Sequence, residues 1–255
     1  MAQAHLQVGD TVQAMRSAER AIALNPSDEW GYRLRGVILL RGRNTRRILQ
    51  AAEEATAFAP NSAMTLSVLT QALLKAGKLS RARETAEHLR RIAPRSSLAH
   101  EALALVALRQ CQWVEAEIYC REMLKINPQS YAAFHNLGLA LRFSKRMPEA
   151  IESFLEAQRL NPMDAIVRSS LDEAVGAYIL DLNVVYPLLS GAGVLTFLAF
   201  LPLGNRATYG PVWLHAAMFV LAAVLMGGVV FFVRQRLRKL PPSLRRRFFR
   251  LIREN

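Results

Sequence analysis

Five histidines (His5, His88, His100, His135, His215) and two cysteines (Cys111, Cys120) are the side chains here best suited to proton transfer, nucleophilic attack or metal ligation. Their spacing supports none of these. No His has a second ligand at a metal-binding spacing, and the nine-residue step from Cys111 to Cys120 fits no common zinc pattern. The chain contains no phosphate-binding glycine loop, no dinucleotide fingerprint, no His-Glu-x-x-His and no nucleophile elbow. Neither catalysis nor a cofactor nor a metal is expected. His100 and His135 fall near apolar positions and read as packing or groove residues, and the cysteines read as packing thiols of a reducing compartment. The chemistry that remains is recognition. Arginine and lysine make charge-assisted hydrogen bonds to carboxylates and phosphates, and the net charge is +13. That charge is concentrated. Residues 234–255 hold nine Lys/Arg against Glu254, whereas residues 1–183 are close to neutral, with 23 Lys/Arg and 19 Asp/Glu.

The elements that must position these groups are visible as a period. Pro26, Pro60, Pro94, Pro128 and Pro162 stand 34 residues apart, and a fixed period of this size marks a repeat architecture. Two amphipathic helical patterns lie between successive prolines. In the last unit Phe134, Leu137, Gly138 and Leu141 mark one helix, and Ala150, Phe154 and Ala157 mark the next, ahead of Pro162. This pattern resembles the tetratricopeptide repeat: an aromatic, Leu-Gly, a large apolar residue, then Ala, Phe and Pro. The resemblance covers roughly residues 1–164 and implies an all-α helical solenoid, a half repeat followed by four full repeats. Gly36 and Gly138 would let the partner helix of the same hairpin approach, with Ala82, Ala116 and Ala150 facing them. Tyr32, Phe134 and Phe154 would fill the space between units. Ile48 stands where a small Ala is usual, which predicts a loosened or shifted first hairpin. Met1–Pro26 supplies only the end of a first helix and all of the second, and reads either as a half-unit cap or as a repeat whose upstream segment is missing. Residues 165–183 then predict a capping and connecting helix, with Leu171, Val175, Tyr178 and Leu182 on one face.

In such arrays the first helices of successive units line a concave groove. By register the inward positions here are Trp30, Arg33, Val37 and Arg41; Met64, Gln71 and Lys75; Leu98, Leu105 and Arg109; and His135, Leu139 and Arg142. An apolar floor with a basic row suits an extended or helical peptide carrying acidic groups, although the same charges would also suit a solvated face. The family's clamp for chaperone tails is not matched, because its Lys and Asn combination is missing apart from Asn136.

Two charge-free stretches lie beyond the repeats, 184–203 and 212–233, with Arg206 between them. About 20 apolar residues span a bilayer core. The Val, Leu and Phe of the second stretch give roughly −4 to −7 kcal/mol of insertion free energy. Together they predict a transmembrane hairpin over 184–233, its helices touching through Ala192, Thr196 and Ala199 on one side and Ala216, Ala223 and Gly227 on the other. The basic residues after Val233 place the tail in the cytoplasm by the positive-inside rule. Two crossings then return the repeats to the same side. The tail 234–255 predicts a basic amphipathic helix in which Arg245, Arg246, Phe248, Arg250, Leu251 and Arg253 meet anionic lipid, or else merely fix topology. Nucleic acid is not an expected partner. The Arg-rich, Lys-poor composition suggests a bacterial source, and with the cytoplasmic tail a bacterial inner membrane.

Taken together these features read as a membrane-anchored adaptor that binds a protein partner through its groove on the cytoplasmic face. The alternative is a structural or assembly subunit of a larger membrane complex, in which the hairpin is the working part.

Overall fold

A proline lacks an N–H and pushes the residue before it out of the helical region, so a proline every 34 residues imposes a helix end at each one. In the computed structural model, which describes residues 11–26, 28–180, 189–192, 194, 212–242 and 244, this is how each hairpin stops. Ala59, Ala93, Asn127 and Asn161 precede the prolines with φ between −138 and −134°. The N–H two residues beyond each proline donates back to the carbonyl before it at 3.0–3.3 Å, as in Ser62 to Ala59 and Asp164 to Asn161. Each is a β-turn with Pro at its second position.

Unit 1, up to Val167, is a run of antiparallel helices. They are α1 (Thr11–Leu24), α2 (Glu29–Leu40), α3 (Thr45–Phe58), α4 (Ala63–Lys75), α5 (Leu79–Ile92), α6 (Ser97–Arg109), α7 (Trp113–Ile126), α8 (Tyr131–Phe143) and α9 (Met147–Leu160), with α10 (Ala165–Leu180) crossing its boundary. No strand occurs among the described residues. The residue beginning each first helix is a capping type: Asp28, Ser62, Ser96, Ser130 and Asp164, again 34 apart. Four of them accept a backbone N–H from the first turn, for example Ser130 from Ala133 at 3.2 Å and Asp164 from Ile166 at 2.8 Å. Ser62 makes no such bond.

The turn inside each hairpin needs one residue in the left-handed region. Gly77 (φ 72°), Cys111 (φ 58°) and Lys145 (φ 63°) hold it, also at the 34-residue step, and the following N–H closes back on the helix: Lys78 to Leu73, Gln112 to Ala107 and Arg146 to Leu141, each 2.9 Å. The first hairpin is built differently. Arg41 and Gly42 donate to Ile38 and Leu39, and none of its turn residues has a positive φ.

Gly138 is required by a ring: a Cβ there would lie 2.6–2.9 Å from the Phe154 side chain of its own hairpin, and Phe154 is fully buried. Two expectations change here. Phe154 closes its own hairpin, and Tyr32 likewise stacks on Phe58 of its own second helix, centroids 4.1 Å apart. Gly36 instead makes its nearest approach to Val68 of the next unit, 3.0 Å from a would-be Cβ. Ile48 does not hold the first hairpin open; it is 1% exposed and joins the main core with Leu49, Ala52, Leu66, Leu73 and Leu103.

Unit 2 runs from Arg168. Leu171, Ala174, Val175, Tyr178 and Ile179 of α10 are buried. Its long helix, α11 (Val212–Lys239), contains one stretch, Ala217–Lys239, apolar and long enough to cross a membrane, with mean hydropathy 2.3. Val220, Val224, Val230 and Phe231 face outward along it. Residues 189–192 and 194 are helical, and the Cβ position of Gly191 lies 3.4 Å from Leu225 of α11. Ala192 and Ala222 are buried, but Ala223 and Gly227 face outward. The contact face of α11 is thus rotated by one residue from the expected stripe. Arg236 lies over the rings of Tyr178 (4.5 Å) and Phe232 (5.0 Å). Thr196, Ala199, the connection 204–211 and the rest of the first apolar stretch lie outside the described residues, as do Arg245, Arg246, Phe248, Arg250, Leu251 and Arg253 of the tail.

Candidate functional site

Each first helix buries one face, and positions left partly open recur on another. On α6 the recurring positions are Leu98, Glu101, Leu105 and Leu108, steps of three and four that keep a single helical face, with Arg109 exposed beside them and Ser97 and His100 also partly open. The same register picks out Trp30, Arg33, Val37, Leu40 and Arg41 on α2, and His135, Leu139, Arg142 and Phe143 on α8. Trp30 is 37% exposed, while Arg33 and Val37 are half-buried. The α4 helix is the most buried of the four; Met64 and Lys75 are its exposed positions and Gln71 is partly open. The predicted row is therefore a set of equivalent positions stepping along the array.

Lys75 is the exception to its expected role. The first hairpin lacks the left-handed turn that would satisfy the end of α2, and the Lys75 ammonium donates to those carbonyls instead, to Leu40 and, at 3.4 Å, to Gly42. Its charge supports a helix C-terminus and is not available to a ligand. Arg142 lies 5.3 Å over the Phe143 ring, which stacks on Trp113 at 4.7 Å. Arg33 and Arg109 have no hydrogen bond or ion pair among the described residues.

Most acids of unit 1 are placed elsewhere, on the second helices, with Glu29 and Glu101 on first helices. Arg83 of α5 reaches Glu115 of α7 at 2.8 Å, together with Gln110 and Gln112. Arg146, at the start of α9, bonds Glu117 of α7 at 2.8 Å and also Glu149. Arg81 reaches Glu53 at 3.0 Å, and Arg35 pairs with Glu54. Exposed pairs such as Arg81–Glu53 contribute little each, about 0–1 kcal/mol. Their larger consequence is segregation: Glu53, Glu54, Glu115 and Glu117 are paired on the second helices, while Arg33 and Arg109 are left unpaired on the first among the described residues.

Sequence reasoning missed Glu101. One 34-residue step back from His135 leads to it, so the period itself was the available signal. Burial raises the Glu101 carboxyl above its ordinary value and lowers the His135 imidazole, against an opposing pull from Asp164. Burial, then Asp164 and Glu101, raise Tyr131, and Arg41 draws it back down. Cys120 is pushed up to about 12, by burial first and then by Glu101 and Glu117. It is an inert packing thiol. Cys111, expected to pack, is exposed in its turn. The described residues contain no group of three or more His, Cys, Asp or Glu able to hold a metal.

The tetratricopeptide-repeat family profiles match residues 69–131 and 131–163. No curated protein matches the sequence. Among solved structures, a thermophilic tetratricopeptide-repeat protein of Thermus thermophilus is 19% identical with a TM-score of 0.62, covering 68% of this chain and 95% of its own. PilW, a widely conserved type IV pilus biogenesis factor, is 18% identical with a TM-score of 0.55 over 73% and 90%. PilF of Pseudomonas aeruginosa is 18% identical with a TM-score of 0.53 over 73% and 89%. At this identity the likeness is one of fold. Residues 69–163 of this chain match tetratricopeptide-repeat profiles, and the helices of unit 1 have the all-α fold of a tetratricopeptide-repeat solenoid.

Proposed function

We propose that this protein is a membrane-anchored adaptor whose repeat groove binds an acidic segment of a protein partner, and that it acts by recognition and not by catalysis. The observation that carries the reading is the charge segregation. Arg33 and Arg109 stand unpaired on the open face of the first helices, while Glu53, Glu54, Glu115 and Glu117 are paired on the second. Trp30, Val37, Leu98, Leu105 and Leu139 supply apolar contact between the charges, and a buried aromatic with flanking arginines is the usual composition of a binding hot spot.

The anchor is a helical hairpin, 184–203 and 212–233, in a bacterial inner membrane, with repeats and tail on the cytoplasmic side. The contact of Gly191 with Leu225 supports helix pairing. Arg236 over Tyr178 supports the sidedness, because it brings the end of α10 to the basic end of α11. The tail arginines lie on anionic lipid at about 1 kcal/mol each. Anchoring raises the local concentration of the groove at the membrane, so modest affinity suffices.

Reversing two charges tests the groove. The double variant Arg33→Glu, Arg109→Glu, in the full chain, is predicted to lose the partners that the wild type captures from detergent-solubilised membranes, with its helical circular dichroism unchanged. An unchanged set of captured partners would sink the assignment. In the second reading the hairpin is the working part of a larger complex; the apolar outward face of α11 is compatible with it, but lipid accounts for that face equally well.

A further inference from the structure

Glu101 is the anomaly of the groove. It sits on the open face of α6 between Leu98 and Leu105, one repeat before His135 and two after Arg33, at the register those residues share. It is half-buried, desolvation is the sole cause of its raised carboxyl, and no hydrogen bond or ion pair reaches it among the described residues. Glu117, with its side chain 12% exposed, is by contrast paired with Arg146 and Arg121. A desolvated carboxylate without a partner is costly, and that cost is removed if a ligand brings the missing cation. Its charge reaches Tyr131 at the start of the next hairpin and Cys120 behind it. Neither supplies a cation. Tyr131, 42% exposed, carries an aromatic ring, a group whose face attracts an ammonium or guanidinium.

We propose that Glu101 is a specificity-determining residue that receives a Lys or Arg side chain of the bound peptide, so that the groove selects a mixed-charge segment, acidic where it meets Arg33 and Arg109 and basic where it meets Glu101. This rests on the groove reading above and narrows it. A purely acidic peptide would carry its charge past Glu101 and be repelled there. Rejection of such competitors by an unpaired like charge is how specificity between similar ligands is gained.

Random dodecapeptides displayed on phage, selected against the full chain in detergent micelles, test the inference. Peptides enriched on the wild type should carry acidic residues and one Lys or Arg at a fixed place. Those enriched on Glu101→Gln should keep the acidic residues and lose the basic one. Replacing that Lys by norleucine in an enriched peptide should weaken binding to the wild type by about tenfold, the scale of one charge-assisted hydrogen bond, and should leave binding to Glu101→Gln nearly unchanged. Acidic-only peptides on the wild type, or a basic preference that survives in Glu101→Gln, would overturn the role of Glu101 and leave the groove standing. Loss of all acidic preference, or a preference indifferent to Arg33→Glu with Arg109→Glu, would overturn the groove as well.

Discussion

Lys145 and Cys111 occupy the left-handed position that Gly77 fills without strain, a backbone cost of roughly 1–2 kcal/mol per residue. The array thus tolerates local strain where the turn demands it. It also redirects charges that look free in the sequence, as with Lys75 on the carbonyls of Leu40 and Gly42. Such a role is hidden from one-dimensional reading, because it depends on how the preceding hairpin ends. Glu101 carries a prediction about pH. Its carboxyl is raised above the reference value of 4.5, so between that value and the raised one the folded chain holds a proton that the unfolded chain has released. Stability therefore falls as pH rises through this window. We predict that Glu101→Gln melts at a higher temperature than wild type at pH 7, and that the difference disappears once both states are protonated, below about pH 4. Full-length protein in detergent, melted across that range, checks it; an equal or lower melting temperature at pH 7 would contradict it.

At the scale of elements, the period of 34 carries more information than the prolines alone. It also fixes the caps at Asp28, Ser96, Ser130 and Asp164 and the left-handed turns at Gly77, Cys111 and Lys145. The hairpin architecture is legible for that reason: each boundary is set by local chemistry, a proline, a side-chain cap or a tight turn. Packing partners are less legible. Gly36 reads as facing its own hairpin and meets Val68 of the next, since the sequence says that a residue is small but not which surface will approach it. Ile48 is the clearest case. Residue type alone suggests a misfit, but the changed turn at Arg41–Asn44 accompanies a hairpin in which Ile48 is 1% exposed. Were it a misfit, Ile48→Ala would be neutral or stabilising. We predict instead a loss of about 2–5 kcal/mol, read as a lowered thermal midpoint of the full chain.

For the whole molecule, the repeats and the apolar region are two units, and the function proposed for each is separable. The expected sidedness has a chemical readout. Cys111 is an exposed thiol in unit 1, whereas Cys120, with its thiol pushed up to about 12, stays unreactive. In spheroplasts an impermeant maleimide should label Asn205→Cys in the connection between the spans, and should reach Cys111 only after lysis; labelling of Cys111 in intact spheroplasts would reverse the topology. The charge pattern from which this orientation is proposed is plain in the sequence, because it depends on composition at the ends of an apolar run and not on packing. The groove is only partly plain. Its register comes from the period, but which of its charges remain free depends on neighbours several turns away. The central claim is that recognition resides in that groove, with the hairpin serving as anchor. The most direct measurement replaces residues 184–233 by an unrelated two-helix membrane anchor and compares, by quantitative mass spectrometry, the proteins captured by this chimera and by the wild type from solubilised membranes. The account predicts the same partners at similar recovery. Loss of those partners, with the chimera still inserted and helical, would contradict it and move the function into the hairpin.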